Sequence, residues 1–430
     1  MNCRVSDTIF ALSSGAPPAA IGIMRISGPE AAAALKAIAS EVPKPRFASV
    51  RRLHDARGDQ LDQALVLWFP GPATATGEDL AELHLHGGRA IIAAVERALA
   101  EMPGLRRAAP GEFTRRAFAN GRIDLAEAEG LADLLTAETE LQRRHALALA
   151  NGSLSSRVYE WRDRVLMLSA QVEAVLDFGD EDDVSDLPPR FAAQVEDTAR
   201  ELDTLLVAPK AETLREGFRV VLAGPPNSGK SSLFNRLVGD DAAIATPVPG
   251  TTRDVLSRPV AIDGVPFVFV DTAGLRDATD DTIEAIGIER ATQELSRADL
   301  VLWMGPEAEG QGVRLWEVDS FADLPKDVSK ATPRHRVSAA TGQGIAELQS
   351  DLVTLARQAL PGPSDVALNR RQRELLEDAS AALHQSSTVT NPLLIAELLR
   401  TARAAFDRLL GRAATEDMLD TLFGRFCIGK

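Results

Sequence analysis

Eight consecutive residues, Gly224-Pro225-Pro226-Asn227-Ser228-Gly229-Lys230-Ser231, carry the spacing G-x-x-x-x-G-K-[ST]. Such a run cradles phosphate when a strand leads into it and a helix leads out. Residues 218–223 read as the buried strand and residues 232–238 as the helix start. Successive backbone N–H groups and the positive end of a helix then converge on one point and stabilise anionic oxygens. The glycines let the backbone curl closely around the phosphates. Lys230 is placed to reach the β- and γ-phosphates, and the Ser231 hydroxyl to ligate Mg²⁺. The plain alternative is a Gly-rich turn with no ligand; the strand in front argues against it.

Two further elements follow in the order that a phosphate site needs. Asp271-Thr272-Ala273-Gly274 comes after the strand-like run 266–270. A carboxylate at a strand end binds Mg²⁺ through water, and the Gly274 N–H can sense a γ-phosphate. Between the motifs lies Thr246-Pro247-Val248-Pro249-Gly250-Thr251-Thr252-Arg253-Asp254. A threonine in such a loop can complete Mg²⁺ coordination once the loop orders around a triphosphate. Three phosphate elements in this order indicate a Ras-like GTPase rather than a kinase. No glutamine follows the Asp-Thr-Ala-Gly run and no arginine finger is evident, so the attacking water must be oriented in another way.

Outside this region, Glu82, His84 and His86 alternate, and a strand would put all three on one face. That spacing could ligate a metal; half-buried strand polars or a pterin-type pocket are the competing readings. Cys427 could act as a nucleophile or be an inert thiol near the C-terminus. The run Asp180-Glu181-Asp182-Asp183 reads as an exposed acidic loop.

These residues need a scaffold of several parts. A chain of 430 residues is too long for one core and suggests two or three domains. Residues 1 to about 122 mix strand-like runs (20–26, 63–68, 80–85) with helical ones (30–39, 90–100). From Leu125 to about Leu206 apolar residues recur at helical spacing, and they do so again over 366–430. Between these, about 215–358 alternates strands and helices, the mark of a parallel sheet. The expected layout is an α/β domain at 1–122, a helical domain in two parts (123–212 and 363–430), and a Ras-like α/β P-loop domain inserted at 213–362. Apolar content of 45%, charged content of 25% and no eighteen-residue apolar run suit a water-soluble protein without a membrane span. The first residues lack a signal-peptide layout, and two cysteines, Cys3 and Cys427, cannot form a disulfide framework, so cytoplasm is expected. A net charge of −15 argues against gripping nucleic acid over a large surface. A local basic set, Arg370, Arg371, Arg373, Arg400, Arg403, Arg408 and Arg412, offers an RNA contact instead.

The run 246–254, Asn227 in the phosphate loop and the terminal Cys427-Ile428-Gly429-Lys430 resemble the MnmE (TrmE) family of bacterial tRNA-modification GTPases. Further marks are Arg25-Ile26-Ser27-Gly28, Thr76-Gly77-Glu78-Asp79, His86-Gly87-Gly88 and Phe118-Ala119-Asn120-Gly121-Arg122-Ile123-Asp124-Leu125, so the resemblance covers essentially the whole chain. The resemblance implies a K⁺ ion in place of an arginine finger, held by Asn227, Thr246, Val248 and Thr251. It implies Mg²⁺ on Ser231 and Thr252, and a water-orienting Glu284 acting with Lys230. The implied GTP contacts run over Asn227, Ser228, Gly229, Lys230, Ser231 and Ser232, then Thr246, Pro247, Val248, Pro249, Gly250, Thr251 and Thr252, then Asp271, Thr272, Ala273 and Gly274. Hydrolysis in the family is coupled to dimerisation of the nucleotide domains.

The resemblance also implies that the N-terminal domain binds a 5-formyl-tetrahydrofolate as one-carbon source, through Arg25, Glu82, Arg122 and Lys430, and forms a homodimer. The implied task is installing an aminomethyl or carboxymethylaminomethyl group at C5 of the wobble uridine of tRNA, together with the FAD-binding partner MnmG (GidA). Cys427 takes a candidate functional role from its place in the family's ending. An RNA-binding ribosome-assembly GTPase and a folate-dependent transferase with an impaired nucleotide domain are the alternatives. One departure stands out. GTPases select guanine with Asn-Lys-x-Asp, whereas here the segment is Ser320-Phe321-Ala322-Asp323. Asp323 survives and Ser338-Ala339 matches the remaining base loop, so weakened but retained GTP binding is expected, since an unpaired base polar group costs about 1–3 kcal/mol.

Overall fold

The computed structural model describes residues 7–178, 186–207, 211–239, 257–272, 292–312, 314–324, 330–362 and 366–429. The chain divides into two compact units, Met1–Ala132 with Asp407–Lys430, and Asp133–Phe406.

In the first unit, β1 (Thr8–Leu12), β2 (Ile21–Ser27), β3 (Ser49–His54), β4 (Gln60–Phe69), β5 (Leu80–His86) and β6 (Leu105–Arg107) form one sheet. Its order is β3-β4-β5-β2-β1-β6, antiparallel except where β6 lies parallel to β1. Alternation explains β4: Asp62, Ala64, Val66 and Trp68 are buried while their neighbours are not. Helices α1 (Ala31–Ala39) and α2 (Arg89–Ala100) add Leu35, Ile38, Ile92, Val95 and Leu99 to the apolar cluster formed with Phe10, Met24, Ile26, Val66 and Leu83. Two further helices, α3 (Glu112–Ala119) and α4 (Leu125–Thr136), meet the C-terminal helix Glu416–Phe423: Leu125, Ala128, Leu419, Phe423 and Phe426 share a separate small core.

The second unit opens with α5 (Glu140–Ala150), α6 (Ser153–Phe178) and α7 (Phe191–Leu206). Thr139 and Gln142 form a reciprocal capping box that starts α5. After α8 (Ala211–Glu216) come β7 (Phe218–Ala223), α9 (Lys230–Val238), β8 (Ser257–Ile262), β9 (Val265–Asp271), β10 (Leu300–Trp303), β11 (Leu315–Asp319), β12 (His335–Arg336) and α10 (Ile345–Ala359). The sheet order is β12-β11-β10-β7-β9-β8, parallel throughout except for the β8–β9 hairpin. The β7 strand sits in the middle, so the loop that follows it opens between neighbouring strands, where open α/β sheets bind ligands. Two helices follow, α11 (Arg370–Thr388) and α12 (Pro392–Leu409), the former begun by a capping box of Asn369 and Gln372.

Helices α7 and α11 are joined by a polar cluster. His384 Nε2 lies 2.7 Å from Asp203 Oδ2, and its Nδ1 3.3 Å from Glu196 Oε2. The hydrogen bond with Asp203 raises the imidazole above its ordinary value, against the opposing effect of burial. A raised folded-state pKa contributes stability that is complete below about pH 6.5 and is lost as pH rises through the folded value. The parent chain is therefore expected to lose more stability than a His384→Gln chain between pH 6 and pH 9. The side chain is 40% exposed, so the difference will be about 0.5 kcal/mol or less, read from urea unfolding at the two pH values.

Candidate functional site

The phosphate loop begins where β7 ends. Gly224 has φ +153°, and a β-carbon there would lie 3.0 Å from the Met304 carbonyl carbon and 3.1 Å from the Gly305 nitrogen. The loop is thus pressed against the chain leaving β10, which only glycine permits. Asn227 (φ +60°) and Gly229 (φ +91°) hold left-handed conformations that turn the backbone into α9. Lys230, the first residue of that helix, is buried, and its Nζ donates to the carbonyls of Gly224 at 3.0 Å and Pro225 at 2.7 Å. Its ammonium is held over the loop at the N-terminus of α9, where the first N–H groups of a helix have no acceptor within the helix itself. Both contributions are positive, so the place favours an anion.

Parallel pairing sets Leu222 opposite Asp271. Ser231 Oγ donates to Asp271 Oδ2 at 2.6 Å. The Thr272 hydroxyl donates to the Leu222 carbonyl at 2.8 Å and pins the end of β9 to β7. A hydroxyl and a carboxylate oxygen side by side are hard donors that suit Mg²⁺. Ser232 is exposed on the same helical turn.

The loops after β11 and β12 are zipped together. Ala322 N donates to the Val337 carbonyl at 3.0 Å, and Val337 N to the Asp319 carbonyl at 2.9 Å. Ser338 is buried; its carbonyl accepts from Gly342 N at 2.9 Å and its Oγ from Thr341 N at 3.1 Å. Asp323, Ser338 and Ala339 are thereby gathered at one end of the sheet, with Asp323 exposed. Sequence reasoning missed three features here. Ser320 Oγ donates to the Ser228 carbonyl at 2.7 Å. The Phe321 ring lies against Gly229, with Cζ 3.1 Å from where a β-carbon would stand. The Arg236 guanidinium on α9 approaches Gly342, its Nη2 3.0 Å from that residue's would-be β-carbon. Only the polarity of Ser320 hinted at the first; nothing local signals the other two.

In the first unit, Arg25 and Glu82 face each other across β2 and β5. Arg25 donates to Glu82 Oε1 from Nε at 3.1 Å and Nη2 at 2.8 Å, and His84 Nε2 lies 3.2 Å from Oε2. Burial pushes the Glu82 carboxyl up, but hydrogen bonding and charge from Arg25, then His84, hold it below the usual range. His86 instead pairs with Asp62, Nδ1 to Oδ1 at 2.7 Å, so Glu82, His84 and His86 are not turned toward one point. Arg122 is exposed, with its stem beside Gly77. The C-terminal tail returns to this unit: Ile428 bridges Pro110, and Gly429 (φ +92°) packs so tightly on the Leu12 carbonyl that a β-carbon would collide with it. Cys427 is exposed and free.

The Thr76–Asp79 motif is engaged in an ion cluster. Arg116, 3% exposed, donates from Nη1 to Glu78 Oε2 at 3.1 Å and from Nη2 to Asp7 Oδ1 at 2.9 Å and Glu112 Oε1 at 3.1 Å. Ser27 Oγ donates to Glu78 Oε2 at 2.8 Å. Among the expected basic contacts for RNA, Arg370 pairs with Glu374 and Arg400 with Glu397 on their own helices, while Arg373 donates to the Leu206 carbonyl. Thr246, Pro247, Val248, Pro249, Gly250, Thr251, Thr252, Ala273, Gly274, Glu284 and Lys430 lie outside the described residues, as does the acidic run 180–183.

Residues 125–427 match the family model of the MnmE helical domain, and residues 8–122 that of the GTP-binding protein TrmE N-terminus. The chain is 62% identical over 424 residues to the tRNA modification GTPase MnmE of Erythrobacter litoralis (strain HTCC2594), covering 99% of this chain and 100% of that one. Its identity to the protein of the same name from Novosphingobium aromaticivorans is 60% over 437 residues, covering 99% and 100%. With that from Rhizorhabdus wittichii it is 54% over 430 residues, covering 99% and 97%.

Proposed function

This chain belongs to the MnmE (TrmE) family of tRNA modification GTPases, and from that premise we propose that it hydrolyses GTP to drive modification of the wobble uridine of tRNA. The observation that carries the proposal is the convergence of Lys230, the N-terminus of α9, and the Ser231–Asp271 pair at the mouth of the phosphate loop. In the reaction water attacks the γ-phosphorus, the bond from that phosphorus to the bridging oxygen breaks, and GDP leaves as phosphate is released. Lys230 withdraws its ammonium from the loop carbonyls to neutralise charge growing on the β–γ oxygens. Glu284 orients the water. Ser231 and Thr252 would ligate Mg²⁺ directly and Asp271 through water; the bound ion supplies further neutralisation of the phosphates. Asn227, with Thr246, Val248 and Thr251, would hold K⁺ where an arginine finger otherwise sits.

In the first unit, Arg25, Glu82, Arg122 and Lys430 are proposed to hold a 5-formyl-tetrahydrofolate. Support comes from Glu82, a largely buried carboxylate oriented by Arg25 and His84, a group able to accept from the paired N–H donors of an amino-pterin ring. Cys427 stands on a tail that the same unit anchors, and is a candidate functional thiol. The remaining parts of the proposal are a homodimer formed through residues 1–122, a cytoplasmic site of action, and joint work with the FAD-binding MnmG on tRNA. Residues 123–212 and 363–430 would form the helical domain and 213–362 the inserted GTPase domain.

Hydrolysis of GTP and ATP by the purified chain, measured in KCl and in NaCl, tests the central claim. GTP turnover is expected to rise about tenfold or more in KCl, the scale of one added charge-stabilising group. Equal rates in both salts would remove the K⁺ site, and absence of GTP turnover would remove the GTPase reading.

A further inference from the structure

The segment Ser320-Phe321-Ala322-Asp323 differs from Asn-Lys-x-Asp at its first two positions, and the structure shows what the replacements do. Ser320 Oγ donates to the Ser228 carbonyl at 2.7 Å. This ties the loop after β11 to the phosphate loop, over 92 positions of sequence. A serine hydroxyl does there what an asparagine amide N–H can do, namely donate to a carbonyl. The next residue has φ +57°, a left-handed conformation that is uncommon for a bulky side chain. Such strain persists where the surroundings hold it and clusters at ligand sites. Its result is to lay the half-buried Phe321 ring against Gly229, the residue just before α9, with Cζ and Cε2 3.1 and 3.3 Å from the would-be β-carbon.

A nucleotide whose phosphates occupy residues 224–231 must extend its base toward the loops at the carboxyl ends of β11 and β12. Phe321, whose ring approaches Gly229, precedes the exposed Asp323 by two residues in the loop after β11. A lysine in its place would offer a methylene stem capped by an ammonium; phenylalanine offers a π-face with no hydrogen-bonding group. Aromatic stacking is indifferent to which base is stacked. Asp323, by contrast, can accept from the N1–H and exocyclic amine of guanine.

We infer that Phe321 is the stacking face of the base site, held in place by the Ser320 tie, while Asp323 keeps the guanine contact of the reading above. This rests on the guanine-nucleotide reading above and specifies how the altered segment serves it. The test is calorimetric binding of GDP and of IDP, which lacks only the exocyclic amine, to the full chain. Phe321→Ala is expected to weaken both about tenfold, leaving their ratio as in the parent. Phe321→Trp should retain parental affinity, and Phe321→Leu should behave like Phe321→Ala. Asp323→Ala should bring the GDP and IDP affinities to within about twofold of each other. Thermal unfolding of each variant identifies any that fails to fold, and the Trp and Leu pair then decides. Parental affinity in Phe321→Ala or Phe321→Leu, or a changed GDP/IDP ratio in either, would overturn the inference while leaving the GTPase reading intact. A parent chain that binds neither nucleotide would overturn both.

Discussion

Lys230→Met is expected to lower GTP hydrolysis by about a thousandfold or more in single-turnover assays, the scale of losing a charge that stabilises phosphoryl transfer. The geometry shows where the lost charge sits. The Nζ is buried and rides above the loop, bonded to the Gly224 and Pro225 carbonyls. Methionine keeps the length and apolar character of the stem, so packing of α9 on the sheet through Leu233 and Leu237 should survive. Two carbonyls lose a donor, but the loop is exposed at Pro225, and water can replace it there. Unfolding should therefore change little while turnover collapses. Lys230→Arg is not expected to rescue the rate, since a planar guanidinium does not fit a slot shaped for a compact ammonium. A loss of less than tenfold in Lys230→Met would remove Lys230 from the chemistry.

Arg116→Met should destabilise the first unit by about 3 kcal/mol, seen as a shift of the urea unfolding midpoint. Arg116 is the centre on which Asp7, Glu78 and Glu112 converge. Removing it leaves three carboxylates close together, Glu78 and Glu112 largely buried, with Arg106 still bonded to Asp7 and Glu112. The loss is placed at the low end of the range for broken buried pairs because the Asp7 side chain is 33% exposed. The pH dependence provides a second check. Burial pushes Asp7 and Glu112 up, but hydrogen bonds and charge from Arg106 and Arg116 hold both carboxyls below their usual range. A depressed folded-state pKa gives stability that is present above the unfolded value and lost as pH falls through the folded one. The gap between parent and Arg116→Met should thus be widest near neutral pH and narrow on acidification. A gap that stays constant with pH would mean that Arg116 acts through packing alone.

At Ser320-Phe321 the folded chain adds contacts that the sequence does not show. As letters, the replacements remove an amide and an ammonium and predict weakened base binding. In the folded chain the hydroxyl makes the tie to Ser228, and the ring packs on Gly229. Residue letters do not show whether a donor reaches a carbonyl or whether a ring covers the loop; those contacts appear only in the folded chain.

Elsewhere, legibility followed distance along the chain. The strand Phe218–Ala223, the turn after it and the helix from Lys230 were readable because one short run contains the apolar strand, the glycines and the helix start. The helices between Leu125 and Leu206 were readable from 3.6-residue periodicity. The β3 strand was not, because Ser49–His54 carries two arginines and a histidine at a sheet edge, where one buried residue suffices. Sequence also could not show that Ser231 meets Asp271, 40 positions away, or that Arg116 meets Asp7, 109 positions away. Nor could it show that Gly429 is clamped on Leu12 or that residues 407–430 belong with the first unit. By itself the sequence determined the phosphate loop, the helical stretches and the family, because local backbone sterics, short-range periodicity and motif spacing are written in neighbouring residues. Only the tertiary structure decided which distant donors meet which acceptors, because sheet order and strand register, rather than any local preference, bring them within hydrogen-bonding distance.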